Sequence, residues 1–252
     1  MRVFIQLAYD GTNFAGWQIQ PNVDTVQGAL QEALSSIFNQ DIAITGCGRT
    51  DSGVHATYYI AHADLPSEID TSVIRYKLNR MLSKDIVIDK ISEVVPEAHA
   101  RFDAKTRAYT YKLHFVKSPF IYRHSTYWPS AISMDQDKLA DVAALIKNTE
   151  EFGSFCKRHG ADTHMKCSIF ESHWELEQAS SSISYTIRAN RFLRGMVRLI
   201  VGSSIAVAIG QLTLIDLEKH VQDGTRNALM KSAPPQGLAL IDVTYESSLF
   251  KP

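Results

Sequence analysis

Two hydrophobic periods alternate along this chain, and that alternation limits the fold more than any other feature. Val3, Ile5, Leu7 and Tyr9 alternate with Phe4, Gln6 and Ala8, the period-two pattern of a half-buried strand, up to the turn residues Asp10-Gly11. The period then becomes helical. Val26, Leu30, Ala33, Leu34 and Ile37 fall on one face, with Asp24 as expected N-cap and Gln27 as its capping-box partner. Residues 42–47 and 54–63 read as strands, 71–81 as a short helix and 86–95 as another strand.

The pattern then repeats. Residues 106–115 form a strong strand signal, with Tyr109, Tyr111, Leu113 and Phe115 on one face. A helix is expected over 134–146, strands over 170–177 and 182–189, and a helix starting after Asn190. That helix would carry Phe192, Met196, Leu199, Ile200 and Ser203 on one side and Arg191, Arg194 and Arg198 along an adjoining stripe, with Gly210 ending it. Thr213 and Asp216 open one more helix, and residues 238–245 form a last strand. Strands carrying single helices, twice over, imply an α+β chain of two related halves, residues 1–104 and 105–252.

Composition narrows the class. A chain of 252 residues that is 45% hydrophobic and 21% charged has the balance of a soluble globular protein. Three dispersed cysteines cannot build a disulfide framework, which points to a reducing, cytoplasmic compartment. Asp10-Gly11 interrupts the N-terminus before a signal-peptide core forms, and residues 199–210 are too few to span a bilayer. The net charge of −1 argues mildly against a polyanionic partner, but it is an average. Residues 1–100 carry 7 basic and 12 acidic side chains; residues 101–252 carry 19 and 15. Six bases between Arg101 and Arg123 face one acid, Asp103, and Arg188, Arg191, Arg194 and Arg198 face none. Tyr109, Tyr111, Phe115, Tyr122 and Phe192 are interleaved with them. Such runs are usually solvated faces; mixed with aromatics they also suit a polyanion whose bases stack.

The residues able to do chemistry centre on Gly46-Cys47-Gly48-Arg49-Thr50-Asp51-Ser52-Gly53-Val54-His55-Ala56. Asp51 sits at a strand-to-strand junction, where a carboxylate can act as nucleophile or general base. The commoner role of such an aspartate is to hydrogen-bond its own turn. Arg49 can grip a phosphate or fill the space of a displaced base. Tyr109 reads equally as a core tyrosine, and Arg198 as a helix arginine in apolar surroundings that needs a carboxylate partner when buried. Cys156-x2-His159-x4-His164-x2-Cys167 has zinc-ligand residue types, but its central spacer is short and Lys157, Arg158 and Lys166 repel a cation; no metal is expected. Phosphate-loop, dinucleotide, zincin and serine-hydrolase signatures are absent.

The loop Gly48-Arg49-Thr50-Asp51-Ser52-Gly53-Val54-His55-Ala56 closely resembles the signature of the TruA family of tRNA pseudouridine synthases. Four further landmarks resemble the family in the same order. They are Tyr9-Asp10-Gly11-Thr12 with Phe14-Ala15-Gly16-Trp17-Gln18; residues 99–104 with 107–111; Arg191-Phe192-Leu193-Arg194-Gly195-Met196-Val197-Arg198; and Ala233-Pro234-Pro235-Gln236-Gly237-Leu238. The resemblance implies two ferredoxin-like (RRM-like) halves forming a continuous, mainly antiparallel sheet with a central active-site cleft. It implies isomerisation of uridine to pseudouridine in the anticodon stem-loop of tRNA, at positions 38, 39 and 40, with no cofactor, by a homodimer.

Carried over residue by residue, Asp51 is the catalytic aspartate, Arg198 its basic partner, and Arg49 the side chain that holds the nucleotide out of the stack. Tyr109 contacts the target uridine, and Arg107, Leu193 and Arg194 are substrate-binding. The chain departs from the family pattern at Ser52, at Thr45-Gly46-Cys47, at Tyr58-Tyr59 (often Gly-Gln) and at Ser83 (often Pro), none of them a proposed catalytic residue. A non-catalytic RNA-binding module built on the same surface is the competing reading. An aspartyl hydrolase is remote, because the phosphatases of that kind want a second Asp where Gly53 stands.

Overall fold

A computed structural model describes residues 1–66, 70–157, 164–177 and 181–251. The chain divides into two compact units, one of residues 1–107 with 239–252 and one of residues 108–238.

In the first unit, β1 (Arg2–Tyr9) runs into α1 (Val26–Phe38), β2 (Ile44–Gly46), β3 (His55–Asp64), α2 (Thr71–Met81) and β4 (Ile86–Glu93). β1 lies between β3 and β4, antiparallel to both, and β2 pairs antiparallel with β3. The resulting order β4-β1-β3-β2 with two crossover helices is the ferredoxin-like arrangement expected. The period-two face of β1 is fully committed: Val3, Ile5, Leu7 and Tyr9 are all buried. Phe4, on the other face, is buried as well, because the rings of Tyr245 and Phe250 cover it at 4.9 and 5.8 Å. Helix α1 buries Val26, Leu30 and Leu34 completely, each contributing about 1.5–3 kcal/mol by leaving water.

The cap of α1 differs from expectation. Thr25, not Asp24, is the N-cap, and its hydroxyl accepts from Gly28 N. Gln27 is no capping partner. Its side-chain amide donates to Ile44 O at 2.8 Å and accepts from Ile19 N at 3.1 Å, pinning the helix to β2 and to the preceding loop. Asp70 caps α2, accepting from Ser72 N at 2.8 Å.

The second unit takes up β5 (Thr106–His114) from Ala108 onward, then β6 (Thr126–Tyr127), α3 (Gln136–Lys147), β7 (Ile169–Glu177), β8 (Ser182–Ala189), α4 (Met196–Ala208) and α5 (Leu214–Gln222). β5, β8 and β7 are neighbours in that order; β7 and β8 form an antiparallel pair, and β6 pairs parallel with β5. Apart from the two-residue β6 and the added α5, the order strand, helix, two strands, helix repeats that of the first unit. Thr213 caps α5 through Asp216 N as expected, and Gly210 follows the end of α4. Finally β9 (Leu238–Thr244) carries the chain into the first unit and pairs parallel with β3.

The helix expected after Asn190 starts later, at Met196. Gly195 is its N-cap with φ 71°, a left-handed backbone that interrupts any helix running from residue 191. Arg191 and Arg194 therefore lie in the approach to α4 and share no helical stripe with Arg198. Strand β2 is also shorter than the run 42–47 suggested.

Candidate active site

The loop between β2 and β3 carries Arg49 and Asp51, and its backbone is tied down residue by residue. The Tyr59 hydroxyl donates to Gly48 O at 2.5 Å. The Tyr9 and Thr50 hydroxyls share a buried bond of 2.8 Å. Trp17 N donates to Thr50 O at 3.3 Å, and Val54 N closes a turn onto Asp51 O at 3.1 Å. Behind these bonds stand three rings from β1, the following loop and β3: Trp17 stacks on Tyr59 at 4.1 Å, and Tyr9 lies 5.6 Å from Tyr59. Such aromatic contacts add about 0.5–1.5 kcal/mol each beyond their buried area.

Gly16 explains the second landmark of the sequence. Its φ is 92°, and a Cβ there would sit 2.4 Å from Thr50 O, so the loop closes only over glycine. Thr50 is buried, Asp51 half-buried and Arg49 exposed. The loop thus presents a cation and a carboxylate from a backbone that is bonded from behind.

Arg107 is in the same unit and does something the sequence did not suggest. Its Nη2 and Nε donate to Cys47 O at 2.8 and 3.1 Å, its Nη2 also to Arg101 O at 2.6 Å, and its Nη1 to Ala104 O at 3.3 Å. The planar guanidinium fork holds the root of the Asp51 loop against the turn at residues 101–104. Cys47 itself is buried, and burial pushes its thiol up to about 11, so it is an inert packing group.

The remaining candidates lie in the second unit. Tyr109, on β5, is 9% exposed and meets the Phe192 ring edge-on at 5.1 Å. Leu193 is buried next to it in sequence, while Arg194 is exposed and gives its carbonyl to Lys157 N at 3.0 Å. Arg198, half-buried on α4, donates its Nε to Ala233 O at 2.8 Å, and Ala233 N returns a bond to Arg198 O. The final landmark is anchored as well: Tyr111 donates to Pro234 O at 2.8 Å and shares a hydroxyl bond with Thr126, and burial raises its phenol to about 12. In the Cys/His run, Cys156 and Cys167 are buried and not disulfide-bonded, and His164 is exposed; His159 lies outside the described residues.

Sequence reasoning missed the part played by Tyr59. It stood out only as a departure from the family pattern, yet it bonds directly to the residue before Arg49. Its position on β3, nine residues beyond Thr50, gives no local sign of that contact.

A two-unit α+β chain of ferredoxin-like construction, with an Arg-Thr-Asp loop braced by aromatic rings, defines a class that comparison with known proteins identifies. The family model described as tRNA pseudouridine synthase matches residues 6–103 and 148–246, and the chain belongs to that family. Among curated relatives, tRNA pseudouridine synthase A of Parabacteroides distasonis is 42% identical over 250 residues, covering 99% of this chain and 98% of the relative. The protein of the same name from Bacteroides thetaiotaomicron is 41% identical over 252 residues, covering 99% and 92%. That of Aquifex aeolicus is 36% identical over 243 residues, covering 94% and 96%. The chain is an enzyme of the isomerase class. Among the described residues no helix is long and apolar enough to cross a membrane.

Proposed function

We propose that this enzyme isomerises uridine to pseudouridine in the anticodon stem-loop of tRNA, with Asp51 acting as nucleophile or base on a uridine turned out of its stack. The observation that carries this reading is the Asp51 loop: a half-buried carboxylate on a backbone held by Tyr9, Trp17, Tyr59 and Arg107. Preorganisation of that kind suits a group that must meet one carbon atom of a large, mobile substrate.

In the reaction the N1–C1′ bond breaks, the base turns, and C5 bonds to C1′. The C5 hydrogen leaves as a proton and N1 gains one, so the rearrangement is redox-neutral and takes no cofactor. A uracil in a helical stem is reached only after flipping, which costs a few kcal/mol. Stacking against Tyr109 offsets about 1–3 kcal/mol of that, and Arg49, exposed beside Asp51, occupies the gap left behind. Arg198 is the basic partner that favours the ionised carboxylate of Asp51. Leu193 and Arg194 contact the substrate around Tyr109, and Arg107 acts on it through the loop. A half of residues 1–104 supplies Asp51, and a half of residues 105–252 supplies Tyr109 and Arg198. The working unit is a homodimer in the cytoplasm with tRNA lying across both copies, which doubles the basic surface of a chain whose net charge is only −1.

Tritium release from tRNA transcripts carrying 5-tritiated uridine tests the reading. Replacing the anticodon-arm uridines by cytidine is expected to abolish release; unchanged release would move the target elsewhere in the tRNA.

A further inference from the structure

The turn between β4 and β5 exposes a phenylalanine in a setting that a solvent-facing ring does not need. Phe102 is 74% exposed. A lone exposed ring is ordinary, but this one is held. The His99 ring lies 4.3 Å from it, tilted by 30°, and His62 meets the His99 ring edge-on at 4.6 Å. His99 Nδ1 accepts from both Arg101 N and Phe102 N at 3.1 and 3.2 Å, so the imidazole is fixed beneath the turn. Asp103, the one acid of the turn, accepts from His99 N at 2.7 Å. His62 Nδ1 accepts from Ala100 N at 3.1 Å, tying that imidazole to the same turn. The Arg101 guanidinium sits 5.6 Å from the Phe102 ring centroid. Arg107 bridges this turn to the Asp51 loop through the carbonyls of Arg101 and Cys47.

We propose that Phe102, backed by His99 and flanked by Arg101, is a stacking platform for an unpaired base of the RNA substrate, kept in register with the Asp51 loop by Arg107. The proposal rests on the reading that tRNA is the substrate. The exposed Phe102 ring, backed by His99, offers a surface on which one planar ring can lie, and every base offers a π-face. The charge agrees with a nucleic acid. Within the turn itself, Arg101, Lys105 and Arg107 stand against one acid, Asp103, whose carboxylate is engaged by His99 N. The platform lies outside the Asp51 loop and contacts the RNA rather than the reacting uridine.

The experiment compares the full-length enzyme with Phe102→Ala, Phe102→Leu and Phe102→Tyr, measuring tRNA affinity by filter binding, turnover by tritium release, and mass by sedimentation. One base–aromatic stack corresponds to a rise of about 5- to 100-fold in Kd, expected for both Ala and Leu, with kcat changed less than about threefold. Tyrosine restores wild-type affinity. Leu binding as well as Phe, or Ala unchanged, overturns the platform. A lower mass for the Ala variant, with affinity per protomer unchanged, also overturns it, because the ring would then serve a second copy of the chain. If wild type releases no tritium at all, the functional reading fails instead, and the two failures are thereby distinct.

Discussion

At the scale of single residues, the account turns on groups that hold the loop rather than on those that react. Arg107 spends its donors on three carbonyls, and lysine, with a single point charge, cannot reproduce that fork. Arg107→Lys is expected to lower kcat about tenfold or more while the KM for tRNA moves less than threefold, since a small misplacement of a reacting group costs rate before binding. Millimolar guanidinium is expected to recover part of the activity of Arg107→Ala. A loss confined to KM would instead make Arg107 a direct substrate contact. His62 offers a pH readout. Burial, and then the neighbouring His99, lower its pKa from 6.5 to about 4. Between those values the unfolded chain binds a proton that the native chain refuses, so stability falls as pH drops from about 6.5 toward 4. The loss is about 1–3 kcal/mol. Urea midpoints measured across that range check it, and His62→Asn, whose amide oxygen can accept from Ala100 N, is expected to flatten the slope.

At the scale of elements, some boundaries were legible and others were not, for physical reasons that differ. Helix α2 keeps the expected bounds 71–81, and its buried positions, Ile74 and Leu78, keep helical spacing. The start of α4 was not legible. Phe192 and Met196 stand at helical spacing, and only the left-handed backbone of Gly195 separates them. Gly195→Ala tests that explanation. The new Cβ meets the Lys157 stem at 3.1–3.3 Å on a backbone that costs a side chain about 1–2 kcal/mol. A urea midpoint lowered by that amount is expected, and an unchanged one would show that the approach to α4 can relax. The N-cap of α1 falls one residue beyond the expected Asp24 because Asp24 and Thr25 are both good caps, and tertiary bonds claim the side chain of Gln27.

At the scale of the whole molecule, α+β construction and the Asp51 loop were visible in the sequence because both are local: a change of hydrophobic period, and nine consecutive residues. What braces the loop was not visible. Tyr9, Trp17, Tyr59 and Arg107 come from four separated stretches, and only folding brings their bonds onto residues 47–50. The parallel pairing of β9 with β3 is likewise long-range, and nothing in residues 238–244 encodes it. The same distinction applies to charge, where a near-zero total concealed basic clusters interleaved with aromatic residues. The claim on which everything else depends is that Asp51 does the chemistry. Its most direct test is tritium release from 5-tritiated uridine in tRNA, comparing wild type with Asp51→Ala under matched tRNA binding. The account predicts release by wild type, and none above background by a variant that still binds tRNA; equal release by the two would contradict it.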